Sequence, residues 1–312
     1  MDIFEYALNN SKRAKCIFPQ AKKIIAVGDI HGDLDGLIRC LKKAKILGHG
    51  KWDWVAPPGT FVVQLGDVLD GKRPGINPTG FLKKPQEKAA LAYLFQLDLI
   101  AQKHKGRVLS ILGNHELSPI YFDSNQVKDY IKKVDFQSYE GNNRIEQFKP
   151  GKKYAKFLAW TKCLILKIGP VVFVHGGIDL NLLKNRNNIT KINNQVFSWL
   201  YKGAKRPSFM NGTGELSINP CYNRRYSVEE YENNPSTCAQ LIKVLKKLKA
   251  TTMVVGHSVQ HQGINSLSCT DTQGKQYSVW RVDTGISRAF GPDGSNLQVL
   301  EINKNGVSII GR

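Results

Sequence analysis

At 312 residues, 41% of them hydrophobic, the chain is long enough to bury a substantial core as one large domain or two small ones. Its formal charge of +20 admits nucleic acid, a membrane surface or phosphorylated substrates as partners, but much of the excess is lysine scattered through helices and loops, as at Lys42-Lys43, Lys132-Lys133 and Lys246-Lys247, and reads as solvated surface. A membrane span is excluded, because the longest apolar stretch, Cys163 to Ile178, is broken by Lys167, Gly169-Pro170 and His175 before it reaches the roughly 20 residues required.

The first thirty residues show no signal-peptide pattern, so a cytoplasmic or other intracellular location is expected. The six cysteines (Cys16, Cys40, Cys163, Cys221, Cys238, Cys269) form no C-x-x-C pair, and reduced, mostly buried thiols are expected rather than a zinc knuckle or a disulfide framework.

In chain order, Ile24 to Val27 reads as a buried strand, followed by Leu34, Leu37, Ile38, Leu41 and Leu47 at helical spacing with Gly48 as a stop. Phe61 to Leu65 is a second strand. Pro85 opens a helix with Ala90, Leu91, Leu94, Leu97 and Ala101 on its apolar face, closed by Gly106, and Val108 to Leu112 is a third strand. This βαβαβ order predicts a parallel sheet with right-handed crossovers.

From Ser118 to Lys167 the pattern is helical and less regular, with Val127, Tyr130, Ile131 and Val134 on one face and Tyr154, Phe157, Leu158 and Ile165 further on. Val171 to Val174 and Met253 to Val255 read as two more core strands, separated by a polar, Asn-rich stretch, Asn181 to Asn234, that reads as a cap or rim. Tyr277 to Val282, Leu297 to Ile302 and Val307 to Ile310 close the chain as short strands, the last two joined by an Asn305-Gly306 turn. The expectation is one domain over residues 1–312, with inserts at about 118–167 and 181–234.

Asp29, His31, Asp67, Asn114, His175 and His257 each fall next to a predicted strand end. A strand alternates its side chains and its end frees them to converge, and ligands collect at the carboxyl ends of strands in such sheets. Mixed Asp, His and Asn ligation without thiolates suits Mn, Fe or Zn rather than Ca. Six ligands exceed what one open catalytic site needs, and suit two divalent ions roughly 3.5 to 4 Å apart, the arrangement used for phosphoester hydrolysis.

The ordered motifs GDIHGD from Gly28, GDVLDG from Gly66, GNHE from Gly113, HGG from His175 and GH from Gly256 resemble the calcineurin-like metallophosphoesterases, specifically the phosphoprotein phosphatase branch. Within it, "VVGHSVQHQGI" and "VWRVDTGISRAFG" look most like the Shewanella-like protein phosphatases. The resemblance implies an α/β fold of the α+β sandwich kind: two mixed β-sheets flanked by helices, with a dimetal site at the strand C-terminal ends. It further implies that Asp29 and His31 hold one ion, that Asp67 bridges, and that Asn114, His175 and His257 complete the second, with Mn the first choice of metal. A hydroxide between the ions would attack phosphorus. His115 matches the family's general acid and Asp70 the carboxylate that orients it.

One departure stands out. The arginine that grips phosphate in the family motif is replaced here by Gly71, followed by Lys72 and Arg73, so Arg73 and, from "NPCYNRRY", Arg224 become the candidate phosphate-binding residues. The implied activity is hydrolysis of phosphate monoesters on a phosphorylated protein or peptide, most simply at serine and threonine. The alternatives are a nucleotide or diadenosine polyphosphate hydrolase, and an inactive basic binding protein. Neither a membrane nor a nucleic-acid partner is expected, since no basic run is interleaved with aromatics.

Overall fold

The computed structural model describes residues 2–71, 82, 86–120, 144–184, 187–232, 234–290 and 296–311. Its strands are β1 (Ile17–Phe18), β2 (Lys23–Val27), β3 (Thr60–Gln64), β4 (Arg107–Ile111), β5 (Lys162–Cys163), β6 (Ile165–Ile168), β7 (Val171–Val174), β8 (Thr252–Val255), β9 (Asn265–Thr270), β10 (Gln276–Arg281), β11 (Val299–Asn303) and β12 (Gly306–Ile310). They form two mixed sheets, ordered β1-β6-β7-β8-β10-β9 and β12-β11-β2-β3-β4-β5.

Period-two alternation builds the sandwich. Ile24, Ala26, Val63, Leu65, Leu109 and Ile111 of one sheet meet Leu166, Ile168, Val171, Phe173 and Val254 of the other in one buried cluster. The intervening residues Ile25, Val27, Val62 and Val108 point the opposite way, where Leu37 and Leu41 of α2 (Leu34–Lys43) and Leu91 and Leu94 of α3 (Glu87–Lys103) pack on them. β2, β3 and β4 are therefore largely apolar on both faces, as covered parallel strands require. β2, β3 and β4 pair in parallel as expected for the βαβαβ unit, and the Val299–Ile310 hairpin adds to β2 antiparallel.

Several expectations change. The helix read as running to Leu47 ends at Lys43, because Lys45 turns left-handed (φ 54) and Ile46 N–H folds back on Leu41 O at 2.9 Å. Ile165, read as part of a helical face, lies instead on β6; the helix Lys153–Thr161 carries Tyr154, Phe157 and Leu158 as expected. The Asn-rich stretch contains a helix, Ile189–Lys202, that buries Ile192, Val196, Trp199 and Leu200. The face assigned to Val127, Tyr130, Ile131 and Val134 lies outside the described residues, as does Pro85, while the helix expected to follow Pro85 is α3, which buries Ala90, Leu91, Leu94, Leu97 and Ala101.

The cysteines also correct the sequence reading. Cys16 bonds to Cys163 and Cys238 to Cys269, leaving Cys40 and Cys221 as buried thiols. The pairs join positions 147 and 31 residues apart, and local spacing carries no trace of such partners. Among the described residues no helix is long and apolar enough to cross a membrane.

Candidate metal centre

β2, β3 and β4 of one sheet and β7 and β8 of the other end at the same edge, and Asp29, Asp67, Asn114, His175 and His257 follow those ends within three residues. His31 follows Asp29 on the same loop. Of these, His31 (φ 36), Asp67 (φ 51) and His257 (φ 72) hold left-handed backbone, as does Asp70 (φ 64). Such a conformation costs a residue with a side chain roughly 1–3 kcal/mol and persists where surrounding contacts impose it. The other non-glycine residues with positive φ among those described, Lys45, Lys105 and Lys249, each follow a helix end instead.

At Asp67 the contacts that impose it come from Glu116 of the short helix α4 (Asn114–Leu117). Its Oε2 accepts the N–H groups of Asp67 (2.9 Å) and Gly113 (2.7 Å), while Oε1 accepts that of Val68 (2.7 Å). One fully buried carboxylate thus clamps the loops after β3 and β4 together. Gly113 has to be glycine, since a methyl there would collide with Asp67 Oδ1. His115 N–H donates to that same oxygen at 2.8 Å, which leaves Oδ2 turned to the imidazoles.

Two overlapping groups bring their ligand-capable atoms within 4.8 Å of one another: Asp29, His31 and Asp67, and Asp67, His175 and His257. Asp67 is common to both. His31 Nδ1 lies 2.8 Å from Leu69 O and His175 Nδ1 lies 2.7 Å from Leu65 O, so in its neutral form each ring donates from Nδ1 and carries the lone pair on Nε2; burial disfavours a second proton on His175, but Asp67 outweighs it and raises that imidazole above its ordinary value.

A lone-pair conflict follows. His175 Nε2 faces Asn114 Oδ1 at 2.9 Å and Asp67 Oδ2 at 3.2 Å, a meeting of three acceptors that is repulsive unless a proton or a cation lies between them. His257 Nε2 is buried with no hydrogen-bond partner, the state of a ligand nitrogen rather than of a packed core histidine.

Electrostatics point the same way. Burial pushes the Asp29 carboxyl well above its ordinary range, and Asp283 and Asp67 reinforce the shift by repulsion. Burial also disfavours charge on Asp67, but the imidazoles of His175, His115 and His31 outweigh it and hold that carboxyl well below the usual range. Burial, helped by His175 and Arg224, pushes the His257 imidazole far down, so it is neutral with a lone pair to give. A packed, largely buried set of carboxylate, amide and imidazole donors with these mutual repulsions fits divalent cations, which would relieve them.

Beside this set, His115 Nδ1 lies 2.7 Å from Asp70 Oδ2, which also accepts Ser118 Oγ at 2.8 Å; His115 Nε2 is 3.9 Å from Asp67 Oδ2. Arg224 Nη1 donates to Ser258 Oγ at 2.6 Å and reaches His257 O at 3.4 Å, which brings the guanidinium against the loop after β8. Arg73 lies outside the described residues. All the other candidates named from the sequence are thus collected at one edge.

Sequence reasoning assigned no role to Glu116, although it stands inside GNHE. It also missed a chain of contacts behind the site, in which Lys162 Nζ donates to Ser110 Oγ, Ser110 Oγ to Gln64 Oε1 at 2.6 Å, and Gln64 Nε2 to the carbonyls of Gly28 and Gly66. Those carbonyls belong to the loops that carry Asp29 and Asp67. A further latch was missed: Arg288 makes three bonds to Asp33, from its backbone N–H at 2.9 Å and from its guanidinium at 2.8 and 2.7 Å, and Phe290 stacks edge-on to His31 at 5.1 Å. Asp33 belongs to GDIHGD, but its partner is 255 positions away.

Comparison with known proteins bears on this arrangement. Residues 22–261 match the calcineurin-like phosphoesterase family. The chain is 30% identical over 269 residues to Shewanella-like protein phosphatase 1 of Plasmodium berghei, covering 85% of this chain and 67% of that protein. It is 27% identical to Shewanella-like protein phosphatase 2 of Arabidopsis thaliana, covering 94% and 78%. Among solved structures, a cold-active protein tyrosine phosphatase shares the fold with a TM-score of 0.66 at 22% identity, covering 96% of this chain and 78% of that one.

Proposed function

This chain belongs to the calcineurin-like phosphoesterase family, and from that premise we propose that it is a metal-dependent phosphatase of phosphoproteins, acting on phosphoserine and phosphothreonine. Asp29, His31 and Asp67 hold one divalent ion in this reading, and Asp67, Asn114, His175 and His257 a second, with Mn the first choice and Fe or Zn next. Such ions supply Lewis acidity at phosphoryl oxygens and make water a competent nucleophile at neutral pH.

The observation that carries the substrate class is the His115–Asp70 pair at 2.7 Å. A serine or threonine alkoxide is a poor leaving group and needs a proton as the P–O bond breaks, whereas a phenolate leaves more easily. Asp70, fixed in turn by Ser118 Oγ, accepts from Nδ1 and so presents Nε2 of His115 on the Asp67 side as the proton donor to the leaving oxygen. Arg224, anchored at Ser258, serves as a phosphate-binding cation. The motif arginine of the family is Gly71 here, and its N–H donates to Glu87 Oε1 at 2.9 Å. Arg73 is the second candidate for that role.

The test uses protein stripped of metal and reloaded with Mn, Fe or Zn, assayed on phosphoserine, phosphothreonine and phosphotyrosine peptides, a dinucleoside polyphosphate and an activated aryl phosphate. Metal-dependent turnover of the phosphoserine and phosphothreonine peptides is expected. A clear preference for phosphotyrosine peptide or for the polyphosphate would replace the substrate assignment, and no turnover with any metal would remove the enzyme reading.

A further inference from the structure

We propose that a lysine-lined groove at the opposite end of the sheets from the metal centre docks an acidic peptide segment of another protein. The groove encloses about 790 Å³ and is walled by β6, the first turns of the helix Ile189–Lys202, and the corner after the helix Pro235–Lys247. Lys167 of β6 pairs with Val172, near the start of β7, and Lys249 lies just before β8 begins at Thr252. The metal-centre residues follow the other ends of these same strands, so the groove lies a strand length away, on the order of 10 Å.

Charge identifies the occupant. Lys167, Lys191, Lys205, Lys247 and Lys249 line the groove and, among the described residues, no carboxylate does. Among the described residues none of the five joins an ion pair, whereas the adjacent Lys246 turns away to Asp271 at 2.7 Å. The sequence accounts for this: Leu180 to Gly214 and Asn234 to Thr270 contain no Asp or Glu, and the fold brings these two stretches together here. The N-terminal end of the Ile189–Lys202 helix also lines the groove and adds its positive dipole end. Five unneutralised ammonium groups facing one concavity repel each other, and an anionic ligand relieves them.

The remaining lining selects peptide over other anions. Ile17, 49% exposed, lies in the groove on β1, the edge strand of its sheet, so an extended segment has an apolar contact and a strand edge to lie along. Asn188, Asn194 and Gln195 offer side-chain amides that suit peptide groups. Among the described residues no aromatic side chain lines the groove to stack nucleic-acid bases, and a concave wall with one exposed aliphatic residue does not suit a bilayer surface.

Binding is measured without turnover, so the result is independent of the proposed reaction. The probe is a labelled dodecapeptide rich in Glu and Asp with a central Leu, followed by fluorescence anisotropy at low and high salt beside its Gln/Asn counterpart and a single-stranded oligonucleotide. The triple variant Lys167→Glu/Lys191→Glu/Lys247→Glu should raise the Kd of the acidic peptide about tenfold or more. The charge-matched control Lys45→Glu/Lys103→Glu/Lys304→Glu should change it less than about twofold at moderate salt.

Hydrolysis of an aryl phosphate by the triple variant should match the parent. If it does not fold, the pair Lys191→Gln/Lys247→Gln, both exposed, should still weaken binding about threefold. Absence of acidic-peptide binding at low salt, an equal loss in the control variant, or tighter oligonucleotide binding that the groove variant abolishes would each overturn the assignment.

Discussion

His115 and Asp70 meet at 2.7 Å across a sequence separation of 45, and both touch the loop that delivers Asp67: Asp70 as part of it, His115 through an N–H bond to Asp67 Oδ1 at 2.8 Å. The proposed acid and the proposed bridging carboxylate therefore share one frame, and a change in one is felt by the other through these hydrogen bonds and through the 3.9 Å approach of His115 Nε2 to Asp67 Oδ2.

From this coupling, His115→Asn should lower kcat on a phosphoserine peptide by roughly 10²–10⁴-fold, the usual worth of general acid catalysis, while an aryl phosphate with a good leaving group loses less than about tenfold. Asp70→Asn should follow the same ordering with a smaller loss, because the ring remains but its orientation is no longer enforced. Steady-state kinetics on the two substrate classes decide it. Equal losses on both would remove His115 from the acid role.

Asp67→Asn should abolish activity on every substrate, and the metal content measured after Mn loading and desalting should fall from near two ions per chain to one or fewer. Asp67 is common to both ligand groups, so its loss weakens both sites. Retention of two ions with lost activity would place the bridge elsewhere.

What could be read from the sequence divides along a physical line. The edge on which Asp29, Asp67, Asn114, His175 and His257 gather was legible because five short apolar runs end in Gly or go straight into His, and alternation and strand ends are local properties. The Glu116 clamp stood in plain view inside a motif, but nothing local says that its two oxygens collect three backbone N–H groups from two loops. Arg288–Asp33 and the two disulfides are pairings across long separations, which periodicity does not encode. The Ile189–Lys202 helix is a different failure. Ile189, Ile192, Val196, Trp199 and Leu200 recur at helical spacing, but the asparagines between them make the stretch read as a polar cap or rim; Asn193 is in fact buried, bonded to Leu164 N–H and Ile165 O. β9, at a sheet edge and half polar, lacks the apolar run that marks the core strands.

Glu116→Gln should destabilise the fold while leaving the metal-ligand set intact in composition. The amide keeps one acceptor oxygen and turns an NH₂ group toward backbone donors, so at least one buried N–H loses its partner, at about 1–3 kcal/mol for each group left unsatisfied. A lower urea midpoint with an unchanged slope is expected, together with weaker metal retention, since the Asp67 loop is no longer clamped. An unchanged midpoint would mean that the clamp is redundant.

Lys162 gives a prediction in pH. Burial pushes its ammonium down to about 8 from an ordinary 10.5, against the opposing pull of Glu116 and Asp67, while its Nζ donates to Ser110 at the head of the chain that reaches the Gly28 and Gly66 carbonyls through Gln64. The folded-state value lies below the unfolded one, so between pH 8 and 10.5 the unfolded chain binds more protons, and the Lys162 contribution to stability must rise with pH through that window. From pH 7.5 to 9.5 the rise amounts to roughly 2 kcal/mol. Lys162→Met removes the titration, so the stability of the parent relative to this variant should grow by about that amount over the interval, measured by urea denaturation of both proteins at matched salt. A flat difference would show that the ammonium finds a partner or water in the fold, and a falling one that it is stabilised there as a cation.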